Sequence, residues 1–315
     1  MTFLEIRQLA LRRLQFADSP ATAVTNRVNS YINRWHRRLL ANPGMKKLRR
    51  VEILKASVAD QATYGISLAQ ILHIHERTND RRLQQRSLDW YRHHVPDPTA
   101  VTGTPMYWIH LGWTRVHTLP ANASELFVIS SSASDIGTAF VEVVRSDGHR
   151  RSLSATMNGT TAVSLGAAIT DVEDVLDFFI SAAAVGTVRL REDSGSGTEL
   201  AVIPIGAQHA RYLRYGLAPT PSSAITYRFD GIAEINDMTN DNDEPLLPVD
   251  YHDLLADCAV YDEWLPKGRA GEYNWLRGEI DGRIKELRAW VYDQPDGYEE
   301  APTRSPEDEL KLPIV

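Results

Sequence analysis

Apolar positions between residues 246 and 291 recur at steps of three and four. Tyr251, Leu254, Leu255, Cys258 and Tyr261 fall on one side of a first predicted helix. Tyr273, Leu276, Ile280, Ile284, Leu287 and Trp290 fall on one side of a second. Asp250 is placed to cap the first helix, after Pro248 has pushed Leu247 out of helical dihedrals. Pro266-Lys267-Gly268 breaks the run, so the stretch reads as a helical hairpin with two apolar stripes that need partners. Two N-terminal helices can supply them. One covers residues 3–16 through Phe3, Ile6, Leu9 and Leu14 and ends at Asp18-Ser19-Pro20. The next runs from about Pro20 to Leu40 with Val24, Val28, Tyr31, Ile32, Trp35 and Leu39 on one side, closed by Asn42-Pro43-Gly44.

From Leu48 the period shortens towards two. Residues 51–58 and 71–75 read as strands, and the polar segment 81–91 as a short helix. Residues 106–116 read as a strand pair turning at Gly112, after a loop rich in Pro and Gly. Between residues 121 and 204 the composition shifts to Ser, Thr, Ala, Gly and Val. Short apolar runs at 126–129, 139–144, 175–180, 186–190 and 200–203 alternate with turn signals such as Ser146-Asp147-Gly148 and Met157-Asn158-Gly159-Thr160, the pattern of an inserted all-β sandwich. Residues 210–215 and 224–229 read as a further strand pair around Pro219-Thr220-Pro221. The stretch 294–315 is rich in Pro and acid with little periodicity and reads as an extended arm.

Length and composition are those of an ordinary globular chain of up to two domains. The single cysteine, Cys258, excludes an internal disulfide and fits a small buried hydrophobe in a reducing compartment. No apolar run reaches the ~18 residues of a membrane span, and the first residues lack a signal peptide's apolar core. The net charge of -7 is unevenly placed. Residues 1–50 are basic, with Arg34, Arg37, Arg38, Lys46, Lys47, Arg49 and Arg50 clustered at their end, whereas the last residues are acidic. Such asymmetry suits contact between copies or with a charged polymer. Phosphate neutralisation needs only surface Lys and Arg, so these seven residues are candidates for an interface or a DNA-facing surface, with contacts between subunits preferred.

Catalytic signatures are missing. The chain has no phosphate-binding loop, no Gly-x-Ser-x-Gly elbow and no His-Glu-x-x-His. His73 and His75 alternate on one strand face and would suit zinc only if carboxylates joined them; His93, His94, His110 and His117 complete a His-rich zone. The oxygen-rich stretch 237–244 lacks the Gly-centred spacing of a calcium loop. Nothing fixes the geometry of Asp89 and Asp97 around Tyr91-Arg92-His93-His94. The sequence therefore implies no cofactor, no metal and no enzyme.

Several segments together resemble a known family. They are the two N-terminal helices, the Thr102-Gly103-Thr104-Pro105-Met106-Tyr107 loop, and Pro219-Thr220-Pro221 leading to Thr226-Tyr227-Arg228. Leu247-Pro248 with Asp250-Tyr251-His252-Asp253-Leu254-Leu255 follows, and then a final helix ending Leu287-Arg288-Ala289-Trp290. Their order resembles the head-to-tail adaptor (connector, head-completion) proteins of tailed bacteriophages. The resemblance covers residues 1–120 and 205–293, with 121–204 as an insertion and 294–315 as an added arm. It implies a homo-oligomeric ring, commonly of twelve copies, between capsid portal and tail, with genomic DNA passing non-specifically through its channel. Portal, tail and neck proteins are then the partners, the virion's head-tail junction is the location, and the host cytoplasm is where the chain is made. The expected fold is α+β, a helical bundle with a small β-hairpin region, interrupted by the inserted sandwich. The alternative is a virion surface binding or decorating module built on that sandwich, which its few aromatics, Phe127, Phe140, Phe178 and Phe179, disfavour.

Overall fold

Alternating burial along residues 50–232 builds most of the protein. The structure, a computed structural model, describes residues 1–16, 20–98, 100–120, 125–166, 171–264 and 270–293. The expected breaks at Asp18-Ser19 and Pro266-Lys267-Gly268, and the arm at 294–315, lie outside them. Helices α1 (Phe3–Arg13) and α2 (Thr22–Leu40) lead through a 3-10 helix (Pro43–Arg49) into strands β1 (Arg50–Ala56), β2 (Thr63–Ile66), β3 (Gln70–Glu76), β4 (Arg81–Arg82) and β5 (Gln84–Arg86). Helix α3 (Leu88–His94) precedes β6 (Thr102–Gly103), β7 (Tyr107–Thr114), β8 (Leu126–Ser130), β9 (Thr138–Arg145), β10 (Arg150–Thr156), β11 (Val163–Ser164) and β12 (Val172–Ile180). Then come β13 (Val188–Glu192), β14 (Glu199–Ile203), β15 (Tyr212–Ala218), β16 (Thr220–Pro221) and β17 (Thr226–Ile232). A second 3-10 helix (Val249–Tyr251), α4 (His252–Trp264) and α5 (Ala270–Asp293) close the described chain.

The expected fold class is overturned. The protein is mostly β, with 17 strands against five α-helices among the described residues, and is not a helical bundle carrying a small hairpin and an insert. Two compact units account for it, one of residues 1–49 with 240–315 and one of residues 50–239. In the strand-rich unit, segments 50–116 and 212–232 are not a decoration on helices. They form two four-stranded sheets, β1-β17-β3-β4 and β2-β15-β7-β5. Tyr64, Ile74, Trp108, Tyr215, Tyr227 and Phe229 fill the core between them, with Tyr215 packed at 5.5 Å from Tyr64 and 5.0 Å from Phe229. A second core lies between sheets β10-β9-β12 and β11-β8-β13-β14, where Val128, Val141, Val143, Phe178, Val188 and Leu190 alternate inward.

Two local readings also change. Gly112 is not a turn: β7 continues through it, with φ of +102° and a register shift opposite Arg214, which makes the site a β-bulge. The segment 81–91 divides into two short polar strands and the first half of α3. The Thr102 and Thr220 motifs meet as the parallel pair β6–β16. Gly65 is fixed by closeness alone, since a Cβ there would lie 2.4 Å from the Val116 carbonyl and 2.9 Å from the His117 Cα. Backbone cannot yield as a side chain can, so Gly65→Ala is expected to cost about 1–3 kcal/mol in urea unfolding; a loss under 0.5 kcal/mol would show that the strands part freely.

In the helical unit α4 is the centre. Leu254, Leu255, Ala256, Asp257, Cys258, Ala259 and Val260 are consecutively buried, so this helix is enclosed on every side rather than along one stripe. Helices α1, α2 and α5 all pack on it. Burial pushes the Cys258 thiol well above its usual range, which leaves it an inert hydrophobe. Helix α1 starts on a capping box between Thr2 and Glu5.

Candidate functional site

The acids of α4 explain where the basic N-terminal residues go. Asp257 and Glu263 are buried carboxylates, and a buried charge must be paired. Arg27 holds Glu263 through two bonds of 2.8 and 2.9 Å. Arg13 pairs with Asp257, and Arg283 of α5 reaches Asp253 at 2.6 Å and Asp257 at 3.4 Å. That contact holds the Asp253 carboxyl below the usual carboxylate range in spite of its burial. Arg34 pairs with Asp262, which also accepts the Trp35 indole N–H at 2.7 Å. Arg34, expected to contact the next copy, thus has an acid partner in its own chain.

The other candidates of that cluster separate. The Arg38 guanidinium lies over the Trp35 ring, 4.7 Å from its centre. Lys47 lies over Tyr292 at 5.9 Å and donates to its carbonyl oxygen at 3.3 Å. Arg49 is buried and donates to the Leu40 carbonyl. Arg37 and Lys46 belong to the helical unit, and Arg50 begins β1 in the strand-rich unit.

The His-rich zone also disperses. His93 and His94 each bond the carbonyl one turn back, at 2.7 and 2.9 Å, and His94 stacks on Trp90. His110 is exposed on β7. A carboxylate does join His73 and His75, because Asp230 of β17 lies opposite His73 and 3.7 Å from the His75 Nε2. It is 4% exposed and both its oxygens lack a hydrogen-bond partner. The surroundings are nonetheless wrong for a cation. Arg228 stands 3.8 Å from Asp230 and 3.9 Å from Glu52, and Arg82 contacts His73. Burial, with the Arg82 charge adding to it, holds the His73 imidazole below its ordinary pKa. Among the described residues no group of three or more His, Cys, Asp or Glu is arranged to hold a metal ion.

The acidic stretch 237–244 has a structural use. The Asp241 and Asp243 carbonyls accept the Leu4 and Phe3 amides at the start of α1, at 3.0 and 2.7 Å, and the Asp241 carboxylate pairs with Arg7 at 2.9 Å. Asp89 lies in the first turn of α3 and Asp97 beyond its end. Among the described residues no helix is long and apolar enough to cross a membrane.

What the geometry leaves unused is the outer side of α5. At 1.5 Å per residue this helix of 24 residues is roughly 36 Å long. Leu276, Ile280, Leu287 and Val291 are buried along its inner stripe, whereas Trp275 is 68% exposed, Trp290 39% and Tyr292 82%. The sequence pattern assigns Trp290 to the inner stripe, and its exposure corrects that. Gly271, Trp275, Gly278 and Gly282 recur at steps of three and four and so share one side, and a Cβ at each of the three glycines would meet nothing within 4 Å. Glycine costs helix stability at each of these places, roughly 1 kcal/mol against alanine. Exposed tryptophans and open glycines thus share the outer side of α5. The spacing of these residues was readable in the sequence, but which side faced out depended on how α5 packs on α4. Compared with models of known protein families and with curated proteins, the chain matches none.

Proposed function

We propose that copies of this chain stand side by side in a ring that joins a capsid portal to a tail, with a central channel for DNA. On this reading it is a structural protein of the virion's head-tail junction, made in the host cytoplasm, and not an enzyme. Its partners are twelve or so copies of itself, the portal, tail or neck proteins, and the genome as a non-specific passenger. The observation that carries the reading is the outer side of α5, a long helix face whose aromatics are exposed and whose glycines admit a close neighbour. The ion pairs of Arg283 with Asp253 and Asp257 support it, because they tie α5 to α4 as a rigid wedge would require. Many modest contacts between copies become strong together when a ring closes. Immunogold labelling of the particle that contains the chain tests this, with gold expected only where head meets tail. A particle preparation that carries no gold at all would sink the proposal.

A second reading is favoured by one feature of the strand-rich unit. Phe140 and Phe179 stack at 4.9 Å, and His209 stacks on Phe179 at 5.3 Å, on the outer face of sheet β10-β9-β12. The period of two places Phe178 inward and Phe179 outward, so the sheet carries an aromatic ladder that apolar runs alone had hidden. This supports a decorating or surface-binding module. Gold over the capsid or along the tail would select it over the ring.

A further inference from the structure

A cavity of about 290 Å³ opens in the helical unit between α2, the first 3-10 helix and α5. Trp35, Leu39, Met45 and Ile284 make its apolar floor, and Arg38, Lys285 and Arg288 stand on its rim. The three cations are exposed. Unlike Arg13, Arg27, Arg34 and Arg283, none of them is paired with a carboxylate among the described residues. Asp281, also on the rim, is turned towards Arg277 at 3.9 Å. An apolar floor under a cationic rim fits a peptide segment in which acids stand next to aliphatic side chains.

The chain contains such a segment. Residues 307–315 read Glu307-Asp308-Glu309-Leu310-Lys311-Leu312-Pro313-Ile314-Val315. We propose that this segment of the same chain seats in the cavity, with Leu310, Leu312 and Ile314 towards the floor and the three acids against Arg38, Lys285 and Arg288. Reach permits it. Lys285 and Arg288 lie within about 12 Å of the end of α5 along the helix axis, and residues 294–306 can span ~3.3 Å each, so the chain returns with slack. Tethering favours the chain's own segment over a neighbour's, because a short linker holds it at roughly millimolar effective concentration. The arm would then serve its own subunit, its acids pairing with three exposed cations that no carboxylate among the described residues holds. This inference does not depend on the ring.

Zero-length carbodiimide cross-linking of the full chain tests it. The expected product joins Lys285 to Glu307, Asp308 or Glu309, and runs at single-chain mass on a denaturing gel. In parallel, acetylation of Lys285 by a small reagent, read by mass spectrometry, should rise about threefold in the full-length variant Glu307→Gln, Asp308→Asn, Glu309→Gln, as expected for loss of a few exposed ion pairs. These substitutions remove the charge of each side chain and keep its size. The proposal is overturned if no such cross-link forms, if it appears only at the mass of two chains, or if Lys285 reacts equally in both proteins.

Discussion

Lowering the pH from 7 to 4 is expected to remove about 3 kcal/mol of stability through His117 alone, and His117→Gln is expected to abolish that loss. His117 sits where β2, β7 and β14 converge. Its carbonyl accepts the Lys55 ammonium at 2.7 Å and the Gly65 amide at 3.2 Å, and its own amide donates to the Leu200 carbonyl. The ring lies edge-on to Tyr212 at 5.4 Å and contacts the Thr118 hydroxyl through Nδ1. Burial, with the Lys55 charge adding to it, lowers the imidazole to about 4. The Glu199 carboxylate, 3.5 Å from Nε2, would act the other way, but Arg189 at 3.0 Å and Arg191 at 3.7 Å already neutralise it. The sign follows from where protons bind. Below pH 6.5 the unfolded chain protonates this histidine and the folded chain does not, so stability falls steadily until about pH 4 and then levels. The same burial lowers Lys55 to about 8, so its ammonium is still charged throughout this range. Urea unfolding at half-unit pH steps measures the difference between wild type and His117→Gln, which cancels the carboxylates common to both. Parallel curves from pH 7 to 4 would show that water reaches the ring freely.

The same junction shows why the fold was only partly legible. Residues 50–56 and 70–76 were readable as strands from their alternation, but β1 pairs with β17 and so joins Arg50 to Ile232 across most of the chain. No local pattern specifies such a pairing, and a sheet built from it looks in sequence like scattered hairpins. Helical faces were more legible, because Phe3, Ile6, Val28, Ile32, Trp35 and Leu39 recur at the helical period and are all buried. The failures have single causes. Helix α4 carries Asp257 and Glu263 inside, which reads as a polar side until Arg13, Arg27 and Arg283 arrive from elsewhere to pair with them. Gly112 signals a turn by identity, yet its positive φ is equally what a bulge needs. At the candidate interface the residues Trp275 and Trp290 were visible, but their outward direction was decided by tertiary packing.

Trp275→Ser is expected to reduce the chain's share in assembled particles by about 30-fold, while leaving its fold unchanged. Exposed tryptophans that become buried between subunits commonly contribute ~2 kcal/mol or more per contact, which is about a 30-fold change in the binding constant. Trp275 contributes little to the subunit itself, since it is 68% exposed on the side of α5 away from Leu276 and Ile280. A surface change of that kind moves subunit stability by roughly 0.5 kcal/mol or less. Gly278→Leu gives an independent variant on the same side. It strengthens the helix in isolation and meets no atom of its own subunit within 4 Å, yet it fills the space that a close neighbour would occupy. Each variant is produced together with an equal amount of wild type while particles assemble, and its share of the chain in purified particles is counted by mass spectrometry. A share of a few per cent for both, with unfolding curves matching wild type, is what side-by-side packing through α5 requires. Equal incorporation of both variants would remove α5 from the interface and with it the main support for the ring, because no other exposed face of the helical unit combines large aromatics with open glycines among the described residues.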